Sequence, residues 1–166
     1  LKRFGYTFKS ETKELAGYAI LRNKKIIMAA DIGSNPNKNF SNDYQAGALS
    51  FEIYSNDKKL ISNSGYYSDK KKKLNKLSRS TALHSTLIIE DHSSCNFIKK
   101  KSNFIVNKGL KVSKRNVVFE NNYWRISALH DGYLQKFGSS HEREIEFYPE
   151  QMKFIGYDKI LRKNPN

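Results

Sequence analysis

Short runs rich in β-branched and aromatic residues, separated by turn signals, recur along the whole chain and leave it few ways to fold. They read GYAIL at 17–21, KIIMAAD at 25–31, ALSFEIY at 48–54, KKLISN at 58–63, HSTLIIE at 84–90, NFIVN at 103–107, NVVFE at 116–120, YWRISALH at 123–130, EREIEFY at 142–148 and MKFIGY at 152–157. Arg22-Asn23, Ser55-Asn56-Asp57, Asn107-Lys108-Gly109, Asn121-Asn122 and Pro149-Glu150 stand between them, residues that suit tight turns. In ALSFEIY, Leu49, Phe51 and Ile53 fall on one face and Ser50, Glu52 and Tyr54 on the other, the period-two pattern of a half-buried strand. No comparable stretch carries a 3.6-residue period. The best helix candidate is a Lys-rich piece from about 70 to 80, where Leu74 and Leu77 stand three apart, and it reads equally as a loop. Strand, turn and strand repeating at about 10 to 15 residues predicts an all-β fold, an antiparallel two-sheet β-sandwich in preference to a barrel.

Composition narrows the partners. Lys and Arg number 30 against 16 Asp and Glu, a formal +14 over 166 residues, so nucleic acid, anionic polysaccharide and anionic lipid all come into view. The dense runs, Lys70–Lys73 and Lys99–Lys101, are lysines, point charges rather than the planar forks that read bases, and they read equally as solvated faces. Aromatic content, 10 Tyr, 10 Phe and 1 Trp, argues against disorder. Cys95 is alone, which excludes an intramolecular disulfide and a Cys-based zinc knuckle. No apolar run approaches the roughly 18 residues of a membrane span, and LKRFGYTFKSETKE lacks the apolar stretch of a signal peptide. Without an initial Met, residues 1–16 read as a lead-in from upstream sequence, 17–160 as the domain and 161–166 as a tail.

Chemistry near neutral pH must use His84, His92, His130 or His141. His84 opens the HSTLIIE run beside the Arg79-Ser80-Thr81 loop, His130 lies in LHDGY, and His92 and His141 fall in polar turns. No H-x-H, H-E-x-x-H or C-x-x-C spacing occurs, so a metal site would have to be assembled across strands. A G-x-S-x-G elbow and phosphate-cradling glycine loops are also missing. Two long polar stretches, 33–45 and 65–83, interrupt the strand rhythm, and loops of such length commonly carry function.

Three segments in order, GYAILRNKKIIMAADIG at 17–33, AGALSFEIYSNDKKLISNSGYY at 46–67 and RSTALHSTLIIEDHSS at 79–94, resemble the C-terminal β module of the heparinase II/III-like family. The last carries an R-x-T-x-x-H-[NS]-T pattern followed by three hydrophobic residues and an acid, here Arg79, Thr81, His84, Ser85, Thr86, Leu87, Ile88, Ile89 and Glu90. With YWRISALHDGYLQKFGSSHEREI at 123–145, the likeness covers roughly 17–157. It implies the β-sandwich of the lyase C-terminal super-sandwich type, belonging to a bacterial polysaccharide lyase that cleaves uronic-acid polymers together with an upstream α/α toroid. It also implies a periplasmic or cell-envelope location.

By the same resemblance, His84 is the catalytic candidate on this module, Arg79 binds a substrate carboxylate, and the principal Tyr base belongs to the toroid. Two positions depart from the family pattern. Gln45 stands where a His is expected and Asn63 near where an Asp is often found, so both are assigned to substrate binding. Gln hydrogen-bonds a sugar but does not transfer a proton near neutral pH. Some members hold a divalent metal; its ligand positions are poorly matched here, and no cofactor is expected. The isolated chain is expected to be inactive, with anionic polysaccharide as its partner and nucleic acid disfavoured. The alternative is a noncatalytic polyanion-binding module. His84 is further expected at one edge of the sandwich, close to Gln45 and Asn63.

Overall fold

Alternation of apolar and polar side chains commits one face of each strand to the interior. In a computed structural model, which describes residues 14–56, 58–69, 73–101 and 103–163, the runs form β1 (Glu14–Leu15), β2 (Tyr18–Arg22), β3 (Ile26–Asp31), β4 (Phe51–Ser55), β5 (Lys58–Ile61), β6 (Asn96–Lys100), β7 (Asn103–Lys108), β8 (Val112–Phe119), β9 (Trp124–His130), β10 (Ser139–Tyr148) and β11 (Lys153–Arg162). Strands β1 to β5 make one antiparallel sheet in chain order, and a second antiparallel sheet runs β11-β10-β9-β8. The β6–β7 hairpin stands apart from both.

Between the two sheets lies one apolar core. Leu21, Ile26, Met28 and Ile53 enter it from the first sheet and Trp124, Ile126, Ile145 and Phe147 from the second. Trp124 stands edge-on to Phe147 at 4.8 Å between centroids. Truncating it to Ala would cost about 3–5 kcal/mol. The architecture is the all-β, antiparallel two-sheet sandwich that the strand rhythm predicts.

Several local expectations are corrected. HSTLIIE at 84–90 is irregular, apart from a bridge between Ile89 and His92. Its polar side chains bond to a neighbouring segment instead of its backbone joining a ladder. The NFIKK segment, absent from the predicted runs, forms β6, while β10 and β11 are each ten residues long. Strand β4 begins only at Phe51 because Leu49 has a left-handed backbone, φ 60°, and Ser50 is buried, not turned to solvent. The Lys-rich piece does form a helix, α1 (Lys73–Ser78), but Leu74 and Leu77 are exposed and Asn75 and Ser78 buried. Its contacts are polar: Asn75 Nδ2 donates to the Tyr67 carbonyl at 2.6 Å, and the Tyr67 N–H donates to Ser78 Oγ at 3.2 Å. Lys70, Lys71 and Lys72 lie outside the described residues. A short helix α2 (Leu134–Phe137) precedes β10 and ends at Gly138, whose φ of 62° suits a residue without Cβ.

Candidate functional site

Segment 41–51 connects the 33–45 loop to β4 and is held by side chains of the R-x-T-x-x-H-S-T pattern. Arg79 Nη2 and Nε donate to the carbonyls of Ser41 and Tyr44 at 2.8 and 2.7 Å. Thr81 Oγ1 donates to Ala46 O at 2.7 Å, Thr86 Oγ1 to Ala48 O at 2.9 Å and Ser85 Oγ to Phe51 O at 2.5 Å. Ser85 Oγ also accepts from the Phe51 N–H at 2.9 Å. An irregular segment buried beside a sheet needs partners for its backbone, and hydroxyls and a guanidinium supply them here.

Arg79 therefore lies elsewhere than a substrate-binding role requires. It is 1% exposed, its third donor Nη1 bonds to Phe104 O at 2.8 Å, and its guanidinium stacks over Phe97 at 4.5 Å. All three nitrogens bond to backbone carbonyls and the side chain is closed off from solvent, so the expected carboxylate binder is instead a cross-brace of the fold.

His84 is the member of the pattern that faces open space. It lines a cleft of about 410 Å³ together with Gln45 and Asn63, and with Tyr18, Asp31 and Glu52 from the first sheet. Three distant parts of the chain thus bring Gln45, Asn63 and His84 to one wall. Asn63 Oδ1 accepts from the Ser85 N–H at 2.8 Å, Asn63 Nδ2 reaches Ser50 Oγ at 3.3 Å, and its backbone N–H donates to Glu52 Oε1 at 3.0 Å. Gly47 makes the approach possible, because a Cβ there would lie 2.7 Å from His84 Cδ2.

The imidazole is oriented at both ends. Nδ1 lies 2.8 Å from the Ser80 carbonyl, which only accepts, so Nδ1 carries a proton. Nε2 lies 3.1 Å from Gln45 Oε1. Burial lowers the His84 pKa from its ordinary value, more than the Ser80 bond and the Glu52 charge raise it. The lowered pKa favours a neutral ring with Nε2 bare, and the Gln45 amide then meets that lone pair with its N–H once its oxygen and nitrogen are exchanged. What faces the cleft is a weak base capped by an amide.

Charge in the cleft runs against the chain's net sign. Asp31, Asp43 and Glu52 line it and no Lys or Arg does among the described residues. Burial pushes the Asp31 carboxyl up to about 6, although the Gly33 N–H, which donates to Oδ1 at 3.0 Å, opposes the shift. Asp31 sits opposite Tyr18 in the β2–β3 register, and burial, with the Asp31 charge, raises the Tyr18 phenol as well. Neither residue stood out in the sequence, though a lone Asp closing an apolar strand before Ile32-Gly33 was a usable sign.

The other histidines lie apart from this cleft. His141, expected in a polar turn, is fully buried in β10 beside His130 on β9. The Gly132 N–H donates to His130 Nδ1 at 3.1 Å, His130 Nε2 is 3.1 Å from His141 Nδ1, and His141 Nε2 is 2.6 Å from Asp158 Oδ1. These contacts order the protons: Nε2 of each ring donates onward and ends on the carboxylate. Burial, aided by the nearby Arg143 charge, lowers His130 to about 3. His92 is exposed, touches Lys136 and packs edge-on against Phe137. It lines a larger open groove of about 870 Å³ that contains none of Gln45, Asn63, Arg79 and His84. Among the described residues no three His, Cys, Asp or Glu side chains gather as a metal site, and no helix is long and apolar enough to cross a membrane.

Known proteins share this architecture. A family model described as heparinase II/III-like, C-terminal, matches residues 10–166. The crystal structure of heparan sulfate lyase HepC from Pedobacter heparinus superposes with a TM-score of 0.65 at 20% identity, covering 89% of this chain and 21% of that one. The structure of a mutant of the same lyase gives 0.67 at 18% identity, covering 95% and 23%. The chain thus spans about a fifth of the length of these lyase structures, and at such identity the likeness is one of fold. No curated protein sequence matches it significantly.

Proposed function

Because the chain belongs to the heparinase II/III-like C-terminal family, we propose that it is the β domain of a polysaccharide lyase that cleaves uronic-acid-containing anionic polysaccharide by β-elimination. Its cleft is completed by an upstream α/α toroid. The observation that carries this reading is the His84 imidazole, fixed through Nδ1 and turned by Nε2 toward a wall it shares with Gln45 and Asn63.

β-Elimination at a uronate needs the carboxylate neutralised, the C5 proton removed by a base, and a proton delivered to the departing C4 oxygen as the C4–C5 double bond forms. Gln45 retains an amide N–H beyond the one on His84, and Asn63 retains one beyond the Ser50 contact; both can donate to a carboxylate without adding charge. His84, once substrate displaces the Gln45 amide, moves a proton at Nε2. Neutral donors suit a cleft that already holds Asp31 and Glu52, and cationic groups would come from the toroid side. The test is ultraviolet detection of unsaturated uronate when the full-length protein meets glycosaminoglycan. We expect product from the full protein and none from residues 1–166 alone; absence of product across uronate polymers would refute the lyase reading.

A second reading, a noncatalytic polyanion-binding module, draws its support from Gln45. An amide there transfers no proton, and the exposed Lys99, Lys100 and Lys101 offer a cationic surface away from the cleft.

A further inference from the structure

Arg143 lies in the middle of β10, in the second sheet, yet it reaches across the sandwich to both segments that build the cleft. Its Nη1 donates to the carbonyl of Leu49 at 2.8 Å and to that of Ser85 at 2.5 Å. Leu49 belongs to the 41–51 segment that carries Gln45, and Ser85 follows His84 directly. The guanidinium also stacks over Phe51 at 5.3 Å. One side chain thus joins the two peptides whose separation sets the distance from Gln45 to His84.

Two independent features surround this junction. Leu49 has φ 60° although it is a buried, bulky residue, a conformation that persists only where neighbours over-determine it. The Arg143 bond to its carbonyl is one restraint, and the Leu49 N–H to Asp31 O bond, 2.8 Å, is the other. On the far side, Arg143 is itself aimed. Nε and Nη2 bind both oxygens of Asp158 at 2.7 and 2.9 Å, and the His130–His141 relay ends on the same carboxylate. The fork is consequently held at both ends, which a surface ion pair would not need.

We propose that Arg143 is a positioning residue for the His84 cleft: oriented by Asp158 and His141, it clamps the Leu49 and Ser85 carbonyls and so sets Gln45 against His84. Arg143 does not line the cleft and touches no substrate. Its effect on turnover rests on the lyase reading above, whereas its effect on the two cleft segments does not.

Hydrogen–deuterium exchange on the full-length protein separates the two. Arg143→Lys keeps the charge but loses the fork that spans two carbonyls and two carboxylate oxygens; Arg143→Met loses both; Asp158→Asn leaves the arginine but frees its aim. Arg125→Met, on neighbouring β9 and paired only loosely with Glu144 at 3.9 Å, serves as control. We expect exchange in peptides spanning 44–52 and 80–88 to quicken about 10-fold in both Arg143 variants, less in Asp158→Asn and not in the control, while β9 stays protected. In an active enzyme, kcat should fall about 10-fold with KM little changed. Unchanged exchange in the two peptides of a folded Arg143 variant, or quickening spread evenly over the sandwich, overturns the proposal. Local quickening in a protein that forms no unsaturated uronate upholds the positioning role and removes the lyase reading.

Discussion

His84 presents Nε2 to the side-chain amide of Gln45 at 3.1 Å while the Ser80 carbonyl holds Nδ1 at 2.8 Å. The pair makes the protonation state of the ring depend on what stands at position 45. A carboxylate in that place favours imidazolium. Gln45→Glu should therefore raise the His84 pKa by about 1 unit or more, read from the imidazole resonances across a pH titration. A pKa unchanged in the folded variant would mean that the two side chains do not touch in solution.

Arg79 gives a prediction about stability rather than substrate. Its guanidinium is buried and satisfies the carbonyls of Ser41, Tyr44 and Phe104. Arg79→Met removes the guanidinium's bonds to all three carbonyls, and we expect a loss of about 3 kcal/mol or more in denaturant unfolding. Lys, with one compact ammonium, should recover only part of it. An unchanged unfolding midpoint with weakened uronate binding would instead restore the carboxylate-binding role implied by the resemblance.

Asp31 predicts a pH dependence with a defined sign. Its folded-state pKa, about 6, lies above the ordinary 3.8, so folding favours the neutral acid. That contribution is fully present below about pH 4 and is lost as pH rises through about 6, a difference of up to about 3 kcal/mol. Asp31→Asn keeps an oxygen for the Gly33 N–H and has nothing to ionise. Its unfolding midpoint should match the wild type near pH 3 and exceed it near pH 7. Parallel curves over the whole range would show that Asp31 ionises freely in the folded protein.

Much of the sandwich was legible because period-two alternation is a local signal: in YWRISALH the buried Trp124, Ile126, Ala128 and His130 fall on one face. HSTLIIE misled for a physical reason. A β-branched, apolar run looks like a strand, but Ser85 and Thr86 bond to Phe51 and Ala48 through their side chains, a long-range choice that no local pattern encodes. The Lys-rich piece does hold a helix, over 73–78, but its buried face is made by Asn75 and Ser78 and not by Leu74 and Leu77, so apolar spacing alone leaves helix and loop equal there. In the site, Gln45, Asn63 and His84 could be named from the resemblance, whereas the acidic lining by Asp31 and Glu52 depends on which strands lie side by side. The burial of His141 has a local sign: His141, Arg143, Ile145 and Phe147 alternate with Glu142, Glu144 and Glu146, as an inward face does.

The proposed proton transfer in this cleft rests on His84. In the full-length protein, His84→Ala should lower uronate-polymer turnover by about 10²-fold or more, with the unfolding midpoint kept near that of the wild type. The measurement is the rate of unsaturated-uronate formation under saturating substrate, compared between the two proteins at several pH values. An unchanged rate in a folded His84→Ala protein would contradict the assignment of proton transfer to this cleft.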